Sequence, residues 1–229
     1  TILFIIGSCI GSFANVVIWR LPKGESPLKG RSYCPNCKRN IPIRDNVPII
    51  SYILLRGKCR YCGWKIPILY PIVEITGGLI PIISHSISGN WLDTIRISFF
   101  LFLLLMLSIS DFQHLILPDK LTYLGLVAGI LFSYPSESIT LKEAVFASFI
   151  GALGFFTVRW IYERMKNIEG LGLGDVKLMA MIGSFVGIEG IVATTIFGSV
   201  LGIVYSLIYM LKTGTFSRKL LIPFGPFLS

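Results

Sequence analysis

The chain has 229 residues, of which 53% are hydrophobic and 14% charged, and its mean hydropathy is +0.74. Soluble domains carry charge at nearly twice that level, roughly 25%, so a water-soluble globule is excluded and no room remains for a second one. The net charge of +9 raises nucleic-acid binding as a reading, but its distribution argues against it. Eleven basic and two acidic residues fall between positions 20 and 65, in a loop flanked by apolar segments, where the positive-inside rule accounts for them.

The first apolar segment, 1–19, lacks the basic start and small-residue cleavage site of a signal peptide and reads as a retained span. Further apolar segments cover 66–88, 92–110, 121–134, 144–161, 176–187 and 191–211. A spanning helix needs roughly 20 apolar residues, so the predicted fold is an all-α polytopic membrane protein of about seven transmembrane helices. Its parts are a first span (1–19), a cytoplasmic basic loop (20–65) and a membrane domain (66–229). Threading the chain this way places nineteen of its twenty-one Lys and Arg residues on the cytoplasmic face, leaving only Arg96 and Lys142 outside. Asp111 and Asp175 then lie at the same depth on that face, one at the end of the third span and one at the start of the sixth.

Within the basic loop, Cys34 and Cys37 form one pair and Cys59 and Cys62 a second, each with two intervening residues. Two such knuckles supply four thiolates to a closed tetrahedral site, so structural zinc in a small ribbon-like loop is expected. Disulfides are disfavoured in a cytoplasmic loop, and no ligand position is left open for catalysis. Cys9, inside the first span, reads as a small apolar residue.

Ionisable groups at membrane depth mark function by default. Asp175 follows Gly172-Leu173-Gly174 before an apolar helix; it reads equally as an N-cap or as a reactive carboxylate beside irregular backbone. Asp111 ends a helix, where the dipole disfavours negative charge, which makes an ordinary structural role less apt. Asp119, after Leu117-Pro118, is explained by capping. Glu74, inside the second span, has no capping role and is expected to pair with a cation or line a polar cavity. His114 is the sole histidine near these groups, and no serine or cysteine has a histidine base to activate it. Two carboxylates on different helices at one depth, if close, cannot both ionise cheaply and share a proton. The ionised member takes a proton from an attacking water, and the protonated member donates to a peptide carbonyl and then to the leaving amine.

The stretches Gly11-Ser12-Phe13-Ala14-Asn15 through Pro22, the cysteine pairs, Tyr70-Pro71-Ile72-Val73-Glu74, Asp111 with Leu117-Pro118-Asp119, Gly172-Leu173-Gly174-Asp175-Val176-Lys177 and Pro223-Phe224-Gly225-Pro226-Phe227 together resemble the type IV prepilin peptidases, membrane aspartyl proteases of the GxGD class. The resemblance implies that Asp111 and Asp175 are the catalytic pair. It names Gly172, Gly174, Lys177, Glu74, Asp119 and Asn15 as supporting or substrate-binding candidates. It implies cleavage of the basic leader of type IV prepilins or pseudopilins at the cytoplasmic face of the bacterial inner membrane. Methylation of the new N-terminus with S-adenosylmethionine is implied as well, although no methyl-donor motif is visible. The family continues past Phe227 into a further span, and the sequence leaves open whether an eighth helix is cut off after Ser229 or absent. The +9 loop would repel a basic leader, leaving Asp45, Glu74, Asp119, Glu163 and Glu169 as candidates to receive it. Against this stand a carboxylate-dependent membrane transporter, which would show paired repeats, and a non-enzymatic membrane scaffold organised by zinc. A presenilin-like protease would leave the cysteine loop and the first motif unexplained. The sequence leaves the oligomeric state and the particular pilin open.

Overall fold

A computed structural model describes residues 1–136, 138–166, 171–213 and 225–228. Among them every regular element is helical, and the only ladder pairing is two isolated bridges. Four helical stretches are long and apolar enough to cross a membrane: Ile2–Lys23, Trp91–His114, Leu141–Met165 and Leu173–Lys212. The chain divides into two compact units, Thr1–Phe102 and Leu103–Ser229.

In the first unit, α1 (Ile2–Arg20) lies against α3 (Leu69–Ser88). Glycines permit the approach. A methyl group on Gly11 would stand 2.7 Å from the Val73 carbonyl, and one on Gly77 would stand 2.8 Å from the Gly7 carbonyl. Backbones this close gain dispersion contacts that larger residues would prevent, as at other small-residue helix pairs in membranes. Asn15 Nδ2 donates to the Tyr70 carbonyl at 3.1 Å, tying the end of α1 to the start of α3. Gly89, left-handed at φ 69°, closes α3 on the His85 carbonyl, and α4 (Trp91–His114) follows.

The basic loop contains one short helix, α2 (Ile50–Leu54), and the 3₁₀ turns Leu21–Lys23 and Ile43–Asp45. Around the cysteines it repeats itself with a period of 25 residues. The Tyr33–Asn40 bridge has its counterpart in Lys58–Lys65. The Cys34 amide bonds the Arg39 carbonyl as Cys59 bonds Trp64, and Lys38 bonds Cys34 as Gly63 bonds Cys59.

The second unit takes in the end of α4 and adds α5 (Asp119–Ser133), α6 (Leu141–Lys166), α7 (Leu173–Thr213) and α8 (Gly225–Leu228). Leu103, Leu107, Leu178, Met179, Met181 and Ile182 are fully buried. The sequence placed two helices over 176–187 and 191–211 with a connection between them; the structure has two helical arms, and non-helical backbone at Gly187 (φ 69°, ψ −166°) is the whole connection. One residue suffices because glycine adopts this conformation without a Cβ penalty. Both arms reach α6 at Gly151, where a methyl group would meet the Met179 carbonyl of the first arm and the Ile191 side chain of the second. Apolar side chains such as Phe149, Phe156, Val192 and Leu201 are at least half exposed, a surface suited to lipid.

Candidate active site

Asp111 sits in the last turn of α4, which ends as Leu115 turns to φ 53° and Leu117-Pro118 forces extended backbone. Asp175 is the third residue of α7. Both carboxylates are buried, at 7% and 8% exposure, in a chain where burial of an acid is costly unless it is partnered. They belong to the same compact unit and lie within electrostatic range of one another. Asp111 Oδ2 accepts a hydrogen bond from the Gly225 amide at 2.9 Å. Asp175 is held by its own amide bonding to the Gly172 carbonyl at 3.2 Å, and a methyl group on Gly172 would stand 3.3 Å from Asp175 Oδ2. Gly174 faces Leu117 instead, where a methyl group would stand 3.1 Å from the leucine side chain.

Capping accounts neither for Asp119, to which it was assigned, nor for Asp175, where it was one of two equal readings. α7 begins two residues before Asp175, and α5 is preceded by Pro118 at the cap position with no side-chain cap bond. The Asp119 carboxylate instead accepts from Lys177 Nζ at 2.7 Å, and that ammonium lies 5.2 Å from the centre of the Tyr123 ring. This pair links the start of α5 to the turn that carries Asp175. His114 has a buried Nε2 without a partner among the described residues.

Glu74 neither pairs with a cation nor stands free. It accepts the Ile49 amide at 2.7 Å. Asp45 accepts from Nε and Nη2 of Arg60, each at 2.6 Å, and Glu163 pairs with Arg159 at 2.7 Å. Four of the five acids proposed to receive a basic leader thus have partners inside the protein, and Glu169 lies outside the described residues. Asn15, another supporting candidate, is used in packing α1 on α3. Sequence reasoning did not single out Gly225. It sits in a recognisable motif, but the group that matters is a backbone amide, which leaves no chemical signature in a residue name.

In the first unit, the four thiols of Cys34, Cys37, Cys59 and Cys62 lie within 4.8 Å of one another, and none is in a disulfide. The Cys34 and Cys62 sulfurs are 3.8 Å apart, about the edge of a tetrahedron with 2.3 Å metal–sulfur bonds. Asn36 donates to Cys62 Sγ at 3.6 Å. Hydrogen bonds from the Trp64 backbone and then from Asn36 draw the Cys62 thiol down to about 6, whereas burial pushes Cys34 up to about 11. The donor set fits a metal ion, and the resident ion would keep all four sulfurs as thiolates.

Two family profiles cover this arrangement. Residues 5–87 match the bacterial peptidase A24 N-terminal domain, and residues 98–207 match the type IV leader peptidase family. The chain belongs to the type IV leader peptidase family. It is 36% identical to the type 4 prepilin-like proteins leader peptide-processing enzyme of Escherichia coli, over 97% of this chain and 88% of that protein. It is 33% identical to a prepilin leader peptidase/N-methyltransferase of Vibrio cholerae, over 98% of this chain and 91% of the relative. Identity to the Myxococcus xanthus protein of that name is 34%, and there the match takes in 93% of this chain but 63% of the relative. No solved structure matches the chain. The resemblance drawn from the motifs therefore holds, and membership of this family favours neither the transporter nor the scaffold.

Proposed function

We propose that this protein is a membrane aspartyl endopeptidase that removes the leader from type IV prepilins or pseudopilins at the cytoplasmic membrane face, with Asp111 and Asp175 as its catalytic pair. The observation that carries the assignment is the burial of both carboxylates at helix ends within one unit, in mutual electrostatic range. Two carboxyl groups so placed share one proton. Water attacks the scissile carbonyl carbon as the ionised carboxylate takes its proton, and the protonated partner donates to the carbonyl oxygen. Collapse of the tetrahedral intermediate breaks the C–N bond as the amine leaves with a proton. The Gly225 amide fixes Asp111 by one oxygen and leaves its other oxygen for water or the shared proton.

Seven crossings remain the best topology: α1, α3, α4, α5, α6 and the two arms of α7. The break at Gly187 and the basic residues clustered between α1 and α3 support it. In this arrangement the aspartates and the cysteine knuckles share the cytoplasmic side. Zinc is the ion that four thiolates at this spacing suit best. Cys34, Cys37, Cys59 and Cys62 would hold it, and it would supply folding energy to a loop with little core of its own. The relatives' names extend the reading to N-methylation of the new amino terminus, for which S-adenosylmethionine would supply the methyl group. No residue is assigned to that step.

The deciding experiment is cleavage of a synthetic prepilin in liposomes by the wild type, Asp111→Asn and Asp175→Asn, each checked for folding. Both folded variants are expected to cut nothing measurable. Near-normal cleavage by either would make that aspartate structural.

A further inference from the structure

The register of α1 against α3 sets the depth of whatever is attached to them. Gly7 lies beside Gly77, Gly11 beside Val73 and the Glu74 Cα, and Asn15 beside Tyr70. Glu74 is therefore level with Gly11. That is nine residues, or about 13 Å, from the Arg20 end of α1, near the middle of the candidate span Ile2–Lys23. Yet the Glu74 carboxylate accepts the amide of Ile49 at 2.7 Å, and Ile49 belongs to the polar, basic loop. One glutamate side chain and one hydrogen bond are all that separate this piece of loop from mid-span depth.

The local backbone is built for that position. Ile49 has φ 64° and ψ −53°, a strained conformation for a β-branched residue that persists only when its surroundings impose it. The bend turns the chain directly into α2. There Ile50, Ile53 and Leu54 are 56%, 67% and 75% exposed, while Ser51 is buried. Ser51 Oγ accepts the Val47 amide and donates to the Arg44 carbonyl, and the Ile50, Ser51, Ile53 and Leu55 amides bond carbonyls within the segment. Backbone enters the hydrocarbon region only when its polar groups are satisfied internally, and the Val47, Ile49, Ile50, Ser51, Ile53 and Leu55 amides all have partners within the protein. Three bare aliphatic side chains on five residues are unfavourable in water and favourable in lipid. Arg44, Arg56 and Lys58 flank the segment, matching the anionic headgroups above an acyl layer.

We propose that residues 47–55 form a re-entrant segment that dips into the leaflet on the side of the cysteine knuckles. Its Ile50, Ile53 and Leu54 face touches acyl chains, and Glu74 is the anchor that holds it there. Glu74 is then a positioning residue for the loop. The inference depends on the membrane placement of α1 and not on the peptidase reading.

The test uses the full chain in vesicles of phosphatidylethanolamine and phosphatidylglycerol, with p-benzoylphenylalanine placed singly at Ile53, at Leu54 and at Leu28. Leu28 is 82% exposed in the same loop and serves as the comparison. After irradiation, mass spectrometry counts lipid and protein adducts. Lipid adducts at positions 53 and 54 are expected to exceed those at 28 by about fivefold or more. Yields no higher than at 28 would place the segment in water, and predominantly protein adducts would place a partner or second copy on this face; either result overturns the proposal. The anchor is tested in the same assay. Glu74→Gln keeps an acceptor oxygen and should keep the lipid adducts, whereas Glu74→Leu should lower them to the level at 28 with metal content unchanged. Unchanged lipid adducts in Glu74→Leu would remove the anchoring role.

Discussion

The amide of Gly225 donates to Oδ2 of Asp111 at 2.9 Å, joining residues 114 positions apart in the chain. Both residues are buried. A methyl group at position 225 would stand 2.8 Å from that same oxygen and 3.3 Å from the Asp111 Cβ, so Gly225→Ala must displace either the donor or the carboxylate. Small misplacements of a reacting group cost up to about 100-fold in rate. Gly225→Ala should lower kcat for prepilin cleavage about 10- to 100-fold with little change in KM. A rate equal to wild type would show that this contact does not position Asp111 for the reaction.

Lys177 stands two residues beyond Asp175 and reaches across to Asp119 at 2.7 Å. Both side chains are partly exposed, so the pair contributes less than about 1 kcal/mol to stability, and its consequence is geometric. Lys177→Met is expected to lower kcat about 3- to 10-fold while shifting Tm very little. Exchanging the two residues (Asp119→Lys with Lys177→Asp) should recover most of the loss. If the two changes simply add, with no recovery, the residues do not act as a unit.

The sequence made some of this site readable and hid the rest for physical reasons. Asp111 and Asp175 stood out because a charge in an apolar run is costly and therefore conspicuous. The cysteine knuckles were legible because two-residue spacing is itself the geometry of the ligand set. Asp119 was misread as a cap, since Pro118-Asp119 carries the local signature of a helix start while its actual partner lies 58 residues away. Glu74 was expected beside a cation or a polar cavity; it lines a cavity with Ser12, Asn46 and Ser51, and the partner that sequence could not name is the backbone amide of Ile49. The two arms of α7 were legible as separate helices because Gly187 and Gly190 mark a break between apolar runs, and Gly187 makes that break.

The chain should bind about one zinc ion per molecule. Elemental analysis of purified Cys34→Ser or Cys59→Ser is expected to give less than about a tenth of that, and protease cleavage within 31–67 should rise in parallel. Full metal retention in both variants would point to an ion held elsewhere.

The Asp45–Arg60 pair ties the second knuckle to the 3₁₀ turn Ile43–Asp45. The two hydrogen bonds from Arg60 hold the Asp45 carboxyl below the usual carboxylate range. A depressed acid stabilises the fold fully above its unfolded value, and that contribution disappears as pH falls through its folded value. Proteolytic resistance of the loop in wild type should therefore exceed that of Asp45→Asn from neutrality down to about pH 4. The two should converge below that, compared at each pH with the metal content measured. A difference that persists unchanged to about pH 2 would mean that packing, not the ion pair, distinguishes them.

The 25-residue repeat supplies an internal comparison. Lys38 and Gly63 hold equivalent places, one residue past the second cysteine of each knuckle, and both have left-handed backbone at φ 59° and 69°. A methyl group on Gly63 would meet nothing within 4 Å, so Gly63→Ala acts through backbone strain alone. The cost should be about 1 kcal/mol, read as a lower midpoint for thermal release of the bound metal. Lys38 already bears that strain. Lys38→Gly relieves it while adding freedom to the unfolded chain, worth about 0.5–1 kcal/mol in the opposite sense. The net change is expected to be small and stabilising, less than about 1 kcal/mol. Opposite signs for the two substitutions would identify backbone conformation as the shared constraint on the two knuckles. Destabilisation by both would instead assign the Lys38 side chain, whose Nζ lies 5.5 Å from the centre of the Tyr33 ring, a contact that outweighs its strain.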